Sequence, residues 1–438
     1  MVLQIQDGFR LFRFKFKMKK VLLVSYYFAP NNAIGAVRPT KIANRLSEMG
    51  YEVDVFTYGY SSNDSFHENV KASMVYRIND EKKEQKPYVS GGPQKVSNKL
   101  IMCVKKHVRA YNAHKLYKSF FKQFVEVYEK ELHKNGYDAV FTTFGPICAL
   151  QTGLYIKSKY PEINWICDFR DPAVVKLHPF LYKPMYYFLQ EKACKKADRI
   201  VAVSNGYLNR ICKGRYADKA IMIPNGYDLS DKESVDITPN NDILRLAYVG
   251  SLYEGKRDLS PIFRSIRELI DEGKVDSQNI VFEYAGTQFF VAEAQAAKYD
   301  MTDILHNNGL LERKNCLDLQ FSSHALILST WNEKGEEGVF PGKFLEYMLI
   351  GRPIISVVDG NLGNSEVSQV MREGALGVSY ESANDKTDFI GLKDYIYTLY
   401  TKIVLEGGFE FSPNQEVLER YNYDNIMKRI EALINKDE

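Results

Sequence analysis

Val21–Thr57 reads VLLVSYYFAPNNAIGAVRPTKIANRLSEMGYEVDVFT. Val21 to Ser25 is a short apolar, β-branched run, and the loop YYFAPNNAIGAV follows it. A helical pattern then runs from about Arg38 to Met49, Gly50 stops it, and Val53 to Thr57 makes a second strand. Two short strands joined through a helix lie parallel in one sheet. The unit recurs. Ala139 to Thr143, a helix to about Lys159 and Trp165 to Asp168 repeat it, as do Arg199 to Val203, a helix and Ala220 to Ile223. This alternation implies a parallel sheet with helices on both faces.

Residues 228–243, DLSDKESVDITPNNDI, are polar and acidic after the turn signal Pro224-Asn225-Gly226, and read as an interdomain linker. Beyond it strands alternate with helices again: Leu244 to Val249, a helix around Leu259 to Glu272, Ile280 to Ala285, Asp303 to His306, Ala325 to Leu328, and Pro353 to Val358. That is a second parallel α/β domain. Asn414 to Asn435 is helical in pattern. The length of 438 residues exceeds one ordinary core, which agrees with two domains.

Composition excludes several classes. Apolar residues at 45% and charged residues at 26% describe a globular chain, and a net charge of +3 demands no nucleic acid. The six cysteines are scattered without paired spacing, so neither a disulfide framework nor a zinc site is expected, and a reducing cytoplasm fits. No apolar run reaches a membrane span and no signal-peptide core is present. Basicity is local: Arg10 to Lys20 carries six basic residues and no acid. Residues 1–17 precede a second methionine, Met18, and their FRFKFK alternation is a short strand, an interfacial segment or a loosely ordered terminus. Gln94 to Gly136 is a long helical stretch with Lys105, Lys106, His107 and Arg109 clustered, either a membrane-facing insertion or a solvated helix covering the sheet edge.

In parallel sheets ligands bind beyond the carboxyl ends of the strands. The loop Ala29 to Val37 has no GxGxxG, but Gly35 at a helix N-terminus lets backbone N–H groups approach an anion, and Arg38 one turn on either adds a forked donor or is an ordinary exposed arginine. After the Trp165 strand, DFRDP puts Asp168, Arg170 and Asp171 either in the cleft or in a salt-bridged turn. In YVGSLYEGKRD, Gly250 and Gly255 flank a loop that ends on Lys256 and Arg257, a grip suited to phosphate. In GEEGVFPGKFLEYMLIGRPIISV, Gly335 to Val357, Pro341-Gly342 starts a helix, Lys343 lies in its first turn and Glu346 shares that face. A lysine at a helix N-terminus suits a diphosphate, and a carboxylate one turn deeper suits paired sugar hydroxyls.

From Lys19 to the C-terminus, the ordered set VLLVSYYFAPNNAIGAVRPTKIANRLSEMGYEVDVFT, WICDFRDP, KADRIVAVSNGY, IPNGYD, YVGSLYEGKRD, EYAGT and FPGKFLEYMLIGRPII resembles the retaining nucleotide-sugar glycosyltransferases of the GT-B fold, family 4-like. The resemblance implies two facing Rossmann-like domains, 19–227 for the acceptor and 228–413 for the donor, with 414–438 returning to the first domain and 1–18 as an extension. It implies sugar transfer from a nucleotide diphosphate-sugar to a saccharide or lipid-linked acceptor, without metal or other cofactor. Lys256 then corresponds to the basic residue on the donor diphosphate, Glu346 to the ribose-binding second glutamate of E-x7-E, and Gly35 to the loop that approaches the donor phosphate. Lys343 and Gly342 join the donor set, and Asp171 stands near the acceptor together with Arg38, Asp168 and Arg170.

Two positions depart from the family pattern. Gly338 stands where the first glutamate would fall, leaving Glu336 or Glu337 as substitutes under a shifted loop, and Ser251 stands where an arginine is common, with Arg257 as its replacement. The implied chemistry is front-face attack assisted by the leaving phosphate, and the implied setting is surface polysaccharide assembly in the cytoplasm, at the inner membrane face. A nucleotide-sugar 2-epimerase and a silent sugar-nucleotide binding protein are the alternative readings.

Overall fold

The computed structural model describes residues 18–59, 66, 68–78, 99–175, 178–231 and 237–436. The expectations for residues 1–17, for 94–98 and for part of the 228–243 linker lie outside them. Val21–Thr57 folds as the parallel unit its pattern implies, with β1 (Lys20–Ser25), α1 (Ile34–Glu48) and β2 (Glu52–Tyr58), Val21 lying opposite Val53. There follow β3 (Met74–Ile78), α2 (Lys99–Lys130), β4 (Ala139–Phe144), α3 (Cys148–Lys159), β5 (Asn164–Phe169), α4 (Lys183–Lys196), β6 (Arg199–Ala202), α5 (Asn205–Cys212) and β7 (Ala220–Met222). The sheet is parallel throughout, in the order β3-β2-β1-β4-β5-β6-β7.

The second half supplies β8 (Leu244–Val249), α6 (Ser260–Asp271), β9 (Ile280–Ala285), α7 (Phe289–Ala297), β10 (Leu305–Asn307), α8 (Arg313–Phe321), β11 (Ala325–Trp331), α9 (Gly342–Ile350), β12 (Ile354–Asp359), α10 (Glu366–Glu373), β13 (Gly377–Glu381) and α11 (Asp385–Tyr400). These strands form a second parallel sheet, β10-β9-β8-β11-β12-β13. Two helices, α12 (Gln415–Glu419) and α13 (Tyr423–Asn435), close the chain.

The strands β4, β5 and β9 are buried at every residue, as expected where helices cover both faces, with the few polar residues such as Asn164, Asp168 and Glu283 taking hydrogen-bond or ion-pair partners. The edge strands β3 and β13 are only part-buried and mix polar with apolar residues, which is why their sequences, MVYRI and GVSYE, gave no strand reading.

Helix α1 begins at Ile34, one turn before the expected start. Pro39 resembles a first-turn proline but lies in the second turn, and the first turn is opened instead by Asn31 Oδ1 accepting from the Ala33 amide at 2.9 Å and by the Ala36 amide donating to Ala33 O at 2.8 Å. The expected single C-terminal helix is two, because Asn422 caps α13 by accepting from the Asp424 amide at 3.1 Å.

The chain crosses between the sheets twice, side by side. The Tyr227 amide donates to Tyr421 O at 2.9 Å and the Tyr423 amide to Tyr227 O at 3.0 Å. Helix α13 then buries Tyr423, Ile426, Met427, Ile430 and Leu433, at helical spacing, in one core with Val21, Leu23 and Val55 of the first sheet and Ile42 of α1. The C-terminal segment thus completes the core of the domain that begins the chain.

Candidate functional site

The carboxyl ends of the two sheets face one cleft. Ile34 Cδ1, at the start of α1, lies where a Cβ on Gly342, at the start of α9, would meet it at 3.7 Å. Two helix N-termini therefore look into the same space, each with unpaired amides and the positive end of its dipole.

On the second-domain side, a Cβ on Gly250 would overlap Lys343 Nζ, and Gly250 itself has φ +140°, which L side chains rarely adopt. The absence of a side chain at 250 lets the ammonium of α9 lie against the loop after β8. Among the described residues Lys343 Nζ has no hydrogen bond and no ion pair; it lies against Gly250 and 5.8 Å from the centroid of the Tyr248 ring. Burial pushes its pKa down to about 8, with Glu346 opposing the shift and Arg257 adding to it.

The other donor-side candidates are tied to protein partners. Lys256 Nζ lies 2.5 Å from Glu336 Oε2 and 4.0 Å from the centroid of Trp331. Glu346 accepts from Gln320 Nε2 at 2.9 Å and from Arg313 Nη1 at 3.3 Å. Ser251 turns inward, its Oγ donating to Gln288 Oε1 at 2.8 Å, while buried Arg257 donates Nη1 to Ser251 O at 3.1 Å and leaves its Nε without an acceptor. The arginine absent at 251 is thus present beneath the loop rather than on it. Asp359, at the end of β12, accepts from the Asp258 amide at 2.9 Å, and burial pushes its carboxyl up to about 7.

On the first-domain side, Arg38 and Asp168 form a buried bidentate pair. Nη2 donates to Oδ1 at 2.8 Å and Nε to Oδ2 at 3.1 Å, and Nη1 donates to Pro224 O at 2.6 Å. At 3% and 0% side-chain exposure they lie beneath the cleft wall and fix the 223–225 turn, so the expectation that their charges face the cleft is corrected. Arg170 does face it. Its guanidinium fills the space over Gly35 and Gly145, donating Nη2 to Gly145 O at 3.0 Å and Nε to Phe144 O at 3.3 Å. Burial lowers its pKa, and its place against the positive end of α1 is one that a bound anion stabilises.

Arg170 and Asp171 open onto a cavity of about 480 Å³, whose wall also includes Tyr27, Tyr207, Trp331 and Glu336. Asp171 is reached by water, yet protein surrounds it on most sides; that desolvation raises its carboxyl, against the opposing effects of Arg170, the Tyr207 hydroxyl and Arg210. Tyr207 and Trp331 were not assigned roles from sequence, whereas Glu336 was one of the two substitutes for the glutamate missing at 338. Tyr207 lies in the quoted SNGY run, and Trp331, one of two tryptophans, ends the strand ALILSTW.

Gly338 has φ +84°, and a Cβ there would strike the backbone of Gly206 and Tyr207 at the start of α5. Ser204 Oγ donates to Gly338 O at 2.7 Å, and the Asn205 amide donates to Glu366 Oε1 at 2.8 Å. Position 338 is thus an interdomain contact that admits only glycine, and Glu336 brings a carboxylate to the cavity instead. Among the described residues no group of three or more His, Cys, Asp or Glu side chains is placed to hold a metal ion.

Residues 36–231 match the model of Glycosyltransferase Family 4. No curated protein matches the chain. Among solved structures it is similar to one described as a lipopolysaccharide outer core galactosyltransferase, WaaB, in its apo form, at 13% identity and TM-score 0.59 over 96% of this chain and 100% of that one. It is similar to the N-terminal domain of Candida albicans trehalose-6-phosphate phosphatase, at 11% identity and TM-score 0.59 over 95% and 96%. An E. coli structure described as trehalose-6-phosphate bound with UDP-2-fluoro glucose matches at 10% identity and TM-score 0.57 over 95% and 99%. At these identities the structures speak for the fold alone, two facing parallel-sheet domains of the GT-B type, while the Glycosyltransferase Family 4 match covers the first of them.

Proposed function

We propose that the protein transfers a sugar, with retention, from a nucleoside diphosphate-sugar held at the carboxyl ends of β8, β11 and β12 to a saccharide or lipid-linked acceptor in the cavity of the first domain. The observation that carries this reading is Lys343: a part-buried ammonium at a helix N-terminus, against a side-chain-free loop and without a hydrogen bond or ion pair among the described residues. Burying such a charge is unfavourable unless an anion completes the site. A diphosphate does so.

In this reading Lys343 and Lys256 stabilise the charge that develops on the leaving diphosphate, as the two helix N-termini also do. Glu346 holds the ribose, and Gly35 and Gly342 allow close backbone approach. The bond from the sugar's anomeric carbon to the diphosphate breaks, the acceptor oxygen bonds to that carbon from the same face, and its proton passes to the departing phosphate oxygen. Asp171, with Arg170, orients the acceptor.

Surface polysaccharide assembly at an anionic membrane is part of the proposal, and an exposed patch supports it. Val104, Val108 and Tyr111 of α2 are exposed, as are Phe180, Leu181 and Phe188, and the Phe180 ring centroid lies 5.1 Å from that of His107. Exposed Lys105, Lys106 and Arg109 flank them, a mixture suited to a headgroup surface. His178 and Tyr186, from the same segment, line the cavity. No helix among the described residues is long and apolar enough to cross a membrane, so this contact is peripheral.

A thermal-shift panel of nucleotide-sugars tests the donor reading, because a ligand that binds only the folded chain raises its melting temperature with the logarithm of saturation. One or a few diphosphate-sugars are expected to stabilise the chain. A panel that leaves the transition unmoved would overturn the reading.

A further inference from the structure

Lys256 belongs to the donor loop and Glu336 to the cavity wall, yet their charged atoms are 2.5 Å apart, at 34% and 14% side-chain exposure. The same ammonium lies 4.0 Å from the centre of the Trp331 ring, and Trp331 also lines the cavity. One cation is therefore shared between a loop shaped for phosphate and two groups that face the acceptor space. Gly338 enforces the arrangement: its contact with Gly206 removes the side chain at 338, so the loop presents Glu336.

We propose that Glu336 is a positioning residue that couples the two sites, yielding Lys256 to the incoming diphosphate and accepting a saccharide hydroxyl in the cavity in its place. The inference rests on the donor reading above. A diphosphate brings more negative charge than one carboxylate, and two anions drawn to a single ammonium in a shielded site repel one another. The carboxylate gives way. Without its cation at the cavity wall, it gains from hydroxyl donors that it has little need of beforehand. Donor binding then strengthens saccharide binding, and by linkage the saccharide strengthens donor binding equally.

The test titrates the full chain with UDP, GDP, ADP and dTDP by calorimetry, and follows tryptophan emission in parallel. Trp165 is fully buried and donates Nε1 to Thr142 Oγ1 at 2.9 Å, so it supplies a constant background against which Trp331 reports the departure of Lys256. A nucleotide that binds is expected to change the emission, and Trp331→Phe should remove that change.

Glu336→Gln is expected to tighten nucleotide binding by about threefold to tenfold, the range for releasing a cation from a part-exposed ion pair. Lys256→Met should weaken binding by about tenfold or more and make Glu336→Gln silent in that background. A merely structural glutamate, or one that touches the donor itself, gives no tightening that depends on Lys256.

Unchanged or weaker binding in Glu336→Gln, or tightening that persists in Lys256→Met, overturns the coupling while the donor site stands. If none of the four nucleotides binds the unaltered chain, the donor reading and the coupling fall together.

Discussion

At the scale of single residues, Lys343 joins three influences that disfavour its charge: burial, the nearby Arg257 and the positive end of α9. Its pKa of about 8 makes a pH prediction with a definite sign. Below pH 8 the free chain presents an ammonium; above it, a neutral amine that an anion does not prefer. Nucleotide affinity should therefore fall about tenfold per pH unit above the pKa, with proton uptake on binding, and Lys343→Arg should abolish the fall. Affinity that stays flat from pH 7 to 9.5 would contradict this.

Gly338 makes a second test at this scale. Glu at 338 restores the residue that the family pattern expects, but φ +84° and the backbone of Gly206 leave no room for it. Gly338→Glu should destabilise the folded chain by about 1–3 kcal/mol, seen in urea unfolding. Unchanged stability would show that the interdomain contact is not needed.

The sequence exposed Gly338 as a departure, and it named Arg170 and Asp171, which line the cavity, and Lys343, which lies against Gly250. It did not reveal that Arg38 and Asp168 would bury against each other, because they are 130 positions apart and only the sheet order brings them together.

Among elements, those with strong periodicity were legible. β8 and β9 begin and end where the sequence reading placed them, since apolar residues dominate both runs and the one charged residue in each, Arg245 and Glu283, pairs with the other across the strands. β3 and β13, being edges, carry mixed sequences whose meaning depends on their neighbours. The pairing of α2 with the segment before α4 was likewise hidden. Clustered basic residues on α2 could be seen in the sequence, whereas Phe180 joins them only in three dimensions.

The membrane prediction belongs to these elements. Flotation with vesicles of phosphatidylcholine and phosphatidylglycerol should recover the protein at low salt and release it as salt rises, and Phe180→Glu with Phe188→Glu should prevent recovery. Equal flotation with purely neutral vesicles would reject an electrostatic contact.

For the whole molecule, two repeated strand-helix alternations separated by a polar stretch were enough to foresee two parallel sheets, and the apolar spacing of the last helix agreed with its return to the first. What the sequence withheld was the closeness of the two halves. Ser204 meets Gly338 across 134 positions and Lys256 meets Glu336 across 80, and no local pattern encodes either distance. Those contacts bring two separate loops together, so that Lys256 and the Glu336 carboxylate at the cavity wall are paired.

The central claim is that the Lys343 ammonium, without a hydrogen bond or ion pair among the described residues, serves to hold a donor diphosphate. Calorimetric titration of the unaltered chain and of Lys343→Met, with the nucleotide-sugar that stabilises it most, tests this directly. Loss of a charge-assisted phosphate contact should weaken binding by about tenfold to a hundredfold while the fold is retained. Equal affinity in the two proteins would contradict the account.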